Sequence, residues 1–309
     1  MRRICIDNAI QELANQFHDE LVHYHPKNAL RILCDNELDS NRKRYVELII
    51  DKWDSLIVAK PDKWTALCDE FDRIGADVVS GRYYDKIVRA MQYNKVQNAI
   101  FPQYVSRLGI KACVYCNAQY VTSNPLHKHI SYEIDHFLPK SIFPFLSTSF
   151  YNLYPCCSTC NRHKNNRVTG IGIRLFQLYT SNPDEDFNPL HFMVTPESVV
   201  EYIATYQPDV LTVRLDAKHN QDLVAGMNHV FHLDTLYLAH KDVVEELIWK
   251  KQIYNQAYIE QYAQIFGSLG LTRSNLLRFM LGNYAIEDEV NKRPLSQMVH
   301  DVAKQLSLL

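Results

Sequence analysis

No run of this 309-residue chain approaches the roughly 18 consecutive apolar residues of a membrane span, which argues against a helical membrane protein. The opening Met1-Arg2-Arg3-Ile4-Cys5 lacks the apolar core and small-residue cleavage site of a secretory leader, so the expectation is a cytoplasmic protein. There is no excess of either charge: 33 Lys and Arg stand against 35 Asp and Glu, a net of −2. A global basic field of the kind that draws a protein onto nucleic acid is therefore missing, and any such affinity must come from a local patch, a metal or a partner. Internal repeats and low-complexity segments are also absent. What remains is an ordinary composition, 47% hydrophobic, in a chain long enough for a large core and two or three domains.

Eight cysteines are present. In a reducing compartment disulfides are not expected. Cys5, Cys34 and Cys68 stand alone among helical patterns and read as small buried hydrophobes. The other five, Cys113, Cys116, Cys156, Cys157 and Cys160, are clustered, as metal binding requires.

Residues 1–108 read as a helical N-terminal region. Ile10, Leu13, Phe17 and Leu21 recur at helical spacing, as do Val46, Ile49, Ile50, Trp53 and Ile57. Pro61 opens a further segment with Asp62 as a candidate cap. His18, His23 and His25 lack an accompanying Cys or carboxylate pattern and read as polar-face or capping histidines. Residues 109–180 lose helical periodicity until after Cys157 and are rich in Pro, Asn, Ser, Cys and aromatics; this is the site-bearing module. Residues 181–309 begin with short strands, predicted at 192–194, 199–203 and 210–215. Helices follow from Leu233, with Pro294 suited to a first helical position.

The central module carries the chemistry. Cys113-Val114-Tyr115-Cys116 and, 40 residues beyond, Cys157-Ser158-Thr159-Cys160 form two C-x-x-C pairs. Four thiolates at this spacing describe a closed tetrahedral zinc site that would stabilise a module with little core of its own. Cys156 is a spare, one residue out of register; His127 and His129 are outside candidates. Between the pairs lies Asp135-His136. An imidazole takes a proton from water near neutral pH, and an adjacent carboxylate holds a hard cation. Asn161, directly after the last cysteine, offers a carboxamide oxygen as a second ligand, a set that suits Mg2+ better than a second zinc.

These residues resemble the HNH endonucleases, the ββα-metal fold, in the version stabilised by four cysteines. The resemblance implies an α+β, mostly helical protein: a central ββα module between helical N-terminal and α/β C-terminal flanks. It implies metal-dependent hydrolysis of DNA phosphodiesters, with His136 as general base, Asp135 and Asn161 as ligands of Mg2+ or Mn2+, and Asn152 as the residue that pins the loop and orients the base. The His136-to-Asn152 spacing of 16 and the Asn152-to-Asn161 spacing of 9 fit the family's layout, with Asn in place of the final His. His163 is a rival ligand, but on a helix positions 161 and 163 point about 200° apart. More loosely, the whole chain is similar to the HNH subunits of bacterial anti-phage systems of the Septu and retron-linked kinds, which implies an ATPase or sensor subunit as partner.

From Asn161 to Arg174 there is no acidic residue. Arg162, Lys164 and Arg167, with Arg174 beyond, form the expected phosphate-binding patch, which Lys140 and Lys111 extend. Two other readings of the same residues are a degenerate zinc-ribbon adaptor and an RNase with the same centre.

Overall fold

The computed structural model describes residues 1–74, 82–124, 129–168 and 173–309. After a short strand β1 (Ile4–Cys5), the N-terminal region is helical: α1 (Asn8–Val22), α2 (Pro26–Asp35), α3 (Ser40–Ile57), α4 (Trp64–Asp72) and α5 (Arg82–Ala90). Then α6 (Tyr93–Lys95) runs through a π turn into α7 (Phe101–Arg107). The starts are capped by sequence: Asp7 accepts from the Ile10 amide at 2.9 Å and Asp39 from that of Arg42 at 2.9 Å. Asp62 is not the cap expected of it. It sits in the first turn of a 3₁₀ segment, Pro61–Lys63, whose cap is Lys60.

The centre holds β2 (Ser123–Asn124), β3 (His129–Ile130), β4 (Glu133–His136), β5 (Leu153–Cys156) and α8 (Ser158–Lys164). β4 and β5 are antiparallel, with His136 opposite Leu153 and Glu133 opposite Cys156. The chain turns from β5 directly into α8, giving strand, strand, helix.

The C-terminal region has β6 (Tyr179–Thr180), β7 (His191–Val194), α9 (Pro196–Thr205), β8 (Val213–Asp216), α10 (Gln221–Phe231), α11 (Leu233–Leu238), α12 (Lys241–Ile253), α13 (Gln256–Ser268), α14 (Arg273–Leu281) and α15 (Ser296–Gln305). β6 pairs in parallel with β1, and β7 with β8 in antiparallel. The strand predicted at 199–203 is instead part of α9. Pro196 occupies the first turn, Glu197 favours the helix N-terminus, and the residues it buries, Ser198 and Tyr202, are four apart. The β-branched Val199, Val200 and Ile203 suggested a strand by propensity, but Val200 and Ile203 are exposed. Pro294 also departs from expectation: it precedes Leu295, whose left-handed backbone (φ 63°) caps a helix that starts at Ser296.

Buried side chains from all three stretches join one continuous cluster, running from Phe17 and Trp53 through Tyr115 and Tyr154 to Tyr237 and Val302. Two contacts matter for the site. Phe71 of α4 stacks on Phe145 at 3.9 Å, and Ser147 Oγ donates to Met91 Sδ at 3.5 Å, so the N-terminal helices clamp the loop between β4 and β5. On the other side Phe231 of α10 stacks on Tyr115 at 4.7 Å. Gly226 allows the close approach of α10, because a Cβ there would lie 2.0 Å from the Arg174 carbonyl oxygen. Among the described residues no helix is long and apolar enough to cross a membrane.

Candidate active site and zinc centre

The two C-x-x-C pairs converge. The sulfurs of Cys113, Cys116, Cys157 and Cys160 all lie within 4.8 Å of one another, with Cys116 and Cys157 at 3.9 Å. Zinc–sulfur bonds of about 2.3 Å place tetrahedral sulfurs about 3.8 Å apart, so the four are spaced to hold one zinc ion. Backbone amides support the sulfurs: Ala118 N donates to Cys116 at 3.4 Å, Cys157 N to Cys113 at 3.3 Å and Cys160 N to Cys157 at 3.5 Å. Cys157 caps α8 with its sulfur, so the site also anchors the N-terminus of that helix. Cys156 is buried but outside the set, as successive strand residues point to opposite faces. His127 and the His129 side chain lie outside the described residues. Tyr237 donates to the Cys116 carbonyl at 2.7 Å, so α11 braces the first knuckle.

Asp135 and His136 end β4, and α8 brings Asn161 alongside them. All three line a cleft of 420 Å³, together with Ile134, Pro139, Lys140, Arg162, Asn165 and Asn166. His136 is buried and its Nε2 lies 2.8 Å from the Ser147 carbonyl oxygen. A carbonyl only accepts, so Nε2 carries the proton and Nδ1 keeps the lone pair. Burial, reinforced by the charge of Lys140, holds the imidazole well below its ordinary pKa, so it is neutral at neutral pH. Tyr93 packs against the ring at 4.7 Å.

Asn152 is fully buried. Its Oδ1 accepts from Leu138 N at 2.7 Å, and its Nδ2 donates to the Leu138 and Leu146 carbonyls, each at 3.0 Å. It thereby ties together the two ends of the loop that presents the Ser147 carbonyl to His136.

Asp135 is buried and doubly bound. Tyr115 donates to Oδ2 at 2.6 Å, and the Lys164 ammonium lies 3.0 Å from Oδ2 and 3.3 Å from Oδ1. Burial raises the carboxyl pKa, opposed by Lys164 and by the Tyr115 hydrogen bond. Asn161 donates through Nδ2 to Glu133, which leaves its Oδ1 to the cleft. His163 is exposed and packs edge-on against His232 at 5.5 Å, away from Asp135.

The basic residues divide. Arg162 lines the cleft. Arg167 is exposed and bonds back to the His163 carbonyl at the end of α8. Lys164 departs from the surface patch in which it was placed: it is wholly buried and also donates to the His136 carbonyl at 2.6 Å. Its charge is spent on Asp135. Sequence reasoning missed Tyr93, Tyr115 and the Ser147 carbonyl. Only Tyr115 left a signal, an aromatic inside the first C-x-x-C. Of the three histidines near the N-terminus, His25 stands at the N-cap of α2 without a side-chain cap bond, and His18 has carboxylates beside it that the sequence pattern did not show. His18 bonds Asp19 and Asp54, each at 3.0 Å, and His23 bonds the Asp19 carbonyl at 2.8 Å.

Residues 113–169 match the family model described as HNH endonuclease. No curated protein and no solved structure matches the chain. The middle of the chain thus matches an HNH endonuclease domain, with four cysteines placed to hold a zinc ion, and this suggests a nuclease.

Proposed function

We propose that this protein is a metal-dependent endonuclease that hydrolyses DNA phosphodiesters, with His136 as general base. The observation that carries the reading is the state of His136: neutral, with Nε2–H fixed on Ser147 and Nδ1 left as the basic nitrogen, on the wall of a cleft it shares with Asp135 and Asn161. The oxygens of Asp135 and Asn161 fit a hard cation such as Mg2+ or Mn2+. When bound there, the cation would stabilise charge on the scissile phosphate and the departing oxygen. His136 Nδ1 takes the proton from water as its oxygen bonds to phosphorus and the bond to the leaving oxygen breaks. Asn152 keeps the loop, and with it the Ser147 carbonyl, in place for that transfer. Lys164 and Tyr115 fix the Asp135 carboxylate, and Arg162 meets the DNA backbone.

The test is nicking of supercoiled plasmid with Mg2+ or Mn2+, with and without EDTA. His136→Ala should lower the rate by about 10²–10⁴-fold with zinc content unchanged. Wild-type nicking by that variant would refute the assignment. Faster cleavage of structured RNA than of DNA by the same preparation would turn the reading to an RNase.

We further propose a role in anti-phage defence beside an ATPase or sensor subunit. Two helical faces, Leu233 to Ile248 and Tyr254 to Phe266, are candidates to dock it; the first is taken up by the core, where Leu233, Tyr237, Val244, Leu247 and Ile248 are buried. On the second Ile265 of α13 is exposed, and next to that face Phe279 of α14, 5.4 Å from Phe266, is exposed as well. Phe279→Asp should release a subunit that the wild type retains on purification from its host. Equal retention would count against this face.

A further inference from the structure

One cation of the cleft has no task in the scheme above. Lys140 follows Pro139 at the start of the loop after β4, and its side chain reaches the same cleft as Asp135, His136 and Asn161. Among the described residues no ion pair or hydrogen bond claims its ammonium, in contrast to Lys164, which Asp135 holds. The ammonium is nevertheless placed. Its Nζ lies 4.7 Å from the centroid of the Tyr93 ring, and that ring packs against His136 at 4.7 Å. The Tyr93 ring is therefore a shared spacer, in contact with the cation and, tilted by 54°, with the imidazole. Tyr93 is itself buried, and its hydroxyl donates to the Ile134 carbonyl at 3.4 Å, so the spacer is tied to β4.

We propose that Lys140 is a catalytic residue of this site, its ammonium contacting a non-bridging oxygen of the scissile phosphodiester, and that Tyr93 is the positioning residue that sets its distance from His136. The proposal rests on the nuclease reading and adds a group to it. A phosphodiester attacked by water gains charge on its non-bridging oxygens as the phosphorus becomes five-coordinate. A cation already in place stabilises that charge without reorganisation. The cation–π contact holds the ammonium while leaving its three N–H donors free, since the ring face takes charge but accepts no strong hydrogen bond. Partial burial strips water from the group and lowers its pKa, opposed by Asp135 and Asp85. A weakly hydrated ammonium loses little on meeting a phosphate oxygen. Arg162, on the rim of the same cleft and exposed, is placed to bind the backbone alongside rather than the reacting phosphate.

The experiment separates rate from binding. Plasmid nicking is followed at saturating protein with Mg2+ or Mn2+, and plasmid affinity is measured by gel shift in EDTA. For Lys140→Ala the rate constant should fall about 10²–10³-fold. Affinity should change by less than about threefold, because one contact among many is lost in the ground state. Lys140→Met, which keeps the apolar stem on Tyr93, should behave the same, and Lys140→Arg should recover activity to within about tenfold of wild type. Tyr93→Leu should slow cleavage with plasmid affinity, zinc content and melting unchanged, and Tyr93→Phe, which keeps the ring but loses the bond to Ile134, should slow it less. Arg162→Ala should weaken plasmid binding by more than Lys140→Ala does, because its contact is made in the ground state. A Lys140→Ala protein that cuts at the wild-type rate while His136→Ala is dead would overturn the proposal and leave the nuclease reading intact. So would an affinity loss that accounts for the whole effect. Wild-type protein inert with either metal would bring down both.

Discussion

Replacing Lys164 by methionine is expected to be among the most destabilising single changes in the module. The ammonium is wholly buried and sits 3.0 and 3.3 Å from the two oxygens of Asp135, itself only 5% exposed, and 2.6 Å from the His136 carbonyl. Methionine fills a similar volume but leaves the carboxylate with only the Tyr115 hydroxyl and the His136 backbone amide. Breaking a buried pair by removing one partner costs about 3–5 kcal/mol, whereas removing both charges is often neutral. Burial shifts both groups toward their uncharged forms, raising Asp135 and lowering Lys164, which agrees with a pair held against desolvation. Lys164→Met should therefore lower stability by about 4 kcal/mol, or about 6 °C in Tm for a chain of this length. Asp135→Asn combined with Lys164→Met should regain at least half of that loss. The assay is urea denaturation of zinc-loaded protein at pH 7.5, run as a four-member double-mutant cycle. Strict additivity, or a single variant as stable as wild type, would refute the claim that Lys164 serves the carboxylate.

Cys116→Ser should hold less than one zinc per chain and melt lower than wild type, because a closed thiolate site contributes folding energy; atomic absorption and thermal melting read this directly, and wild-type protein lacking zinc would refute it. Asn161→Ala should raise the Mg2+ concentration needed for half-maximal nicking at least about tenfold, while His163→Ala leaves it unchanged; the reverse outcome would move the ligand to His163. The pKa of His136 is lowered in the fold, so below the unfolded value of about 6.5 the unfolded chain binds the extra proton and stability falls as pH falls, with no such cost above it. Melting of wild type should thus decline between pH 7 and pH 5 more steeply than that of His136→Gln, and parallel curves would show that burial of this imidazole is not coupled to stability.

The four-cysteine cluster and the residues that meet at the cleft were legible in the sequence because they rest on local spacing. A C-x-x-C turn presents two sulfurs wherever it folds, and Asp135-His136 at a strand end and Asn161 four residues after a cap are fixed by strand and helix geometry. Caps were less legible: Asp7 and Asp39 cap helices without having been singled out in the sequence, and Asp62, which was, does not. The sequence could not show that α9 is a helix, because Val199, Val200 and Ile203 carry strand propensity and only the packing of Ser198 and Tyr202 decides between the two. Nor could it show which lysine meets solvent. Lys140 and Lys164 look alike in the chain, yet the fold sends Lys164 under Asp135 and Lys140 over Tyr93 into the cleft. Tyr93 reaches His136 from 43 residues away, and Phe231 and Tyr237 support the first knuckle from more than a hundred. Such contacts have no local signature. They depend on which buried surfaces meet when the flanking helices close around the strand pair, and that closure sets the tautomer of His136 and the charge available at the cleft.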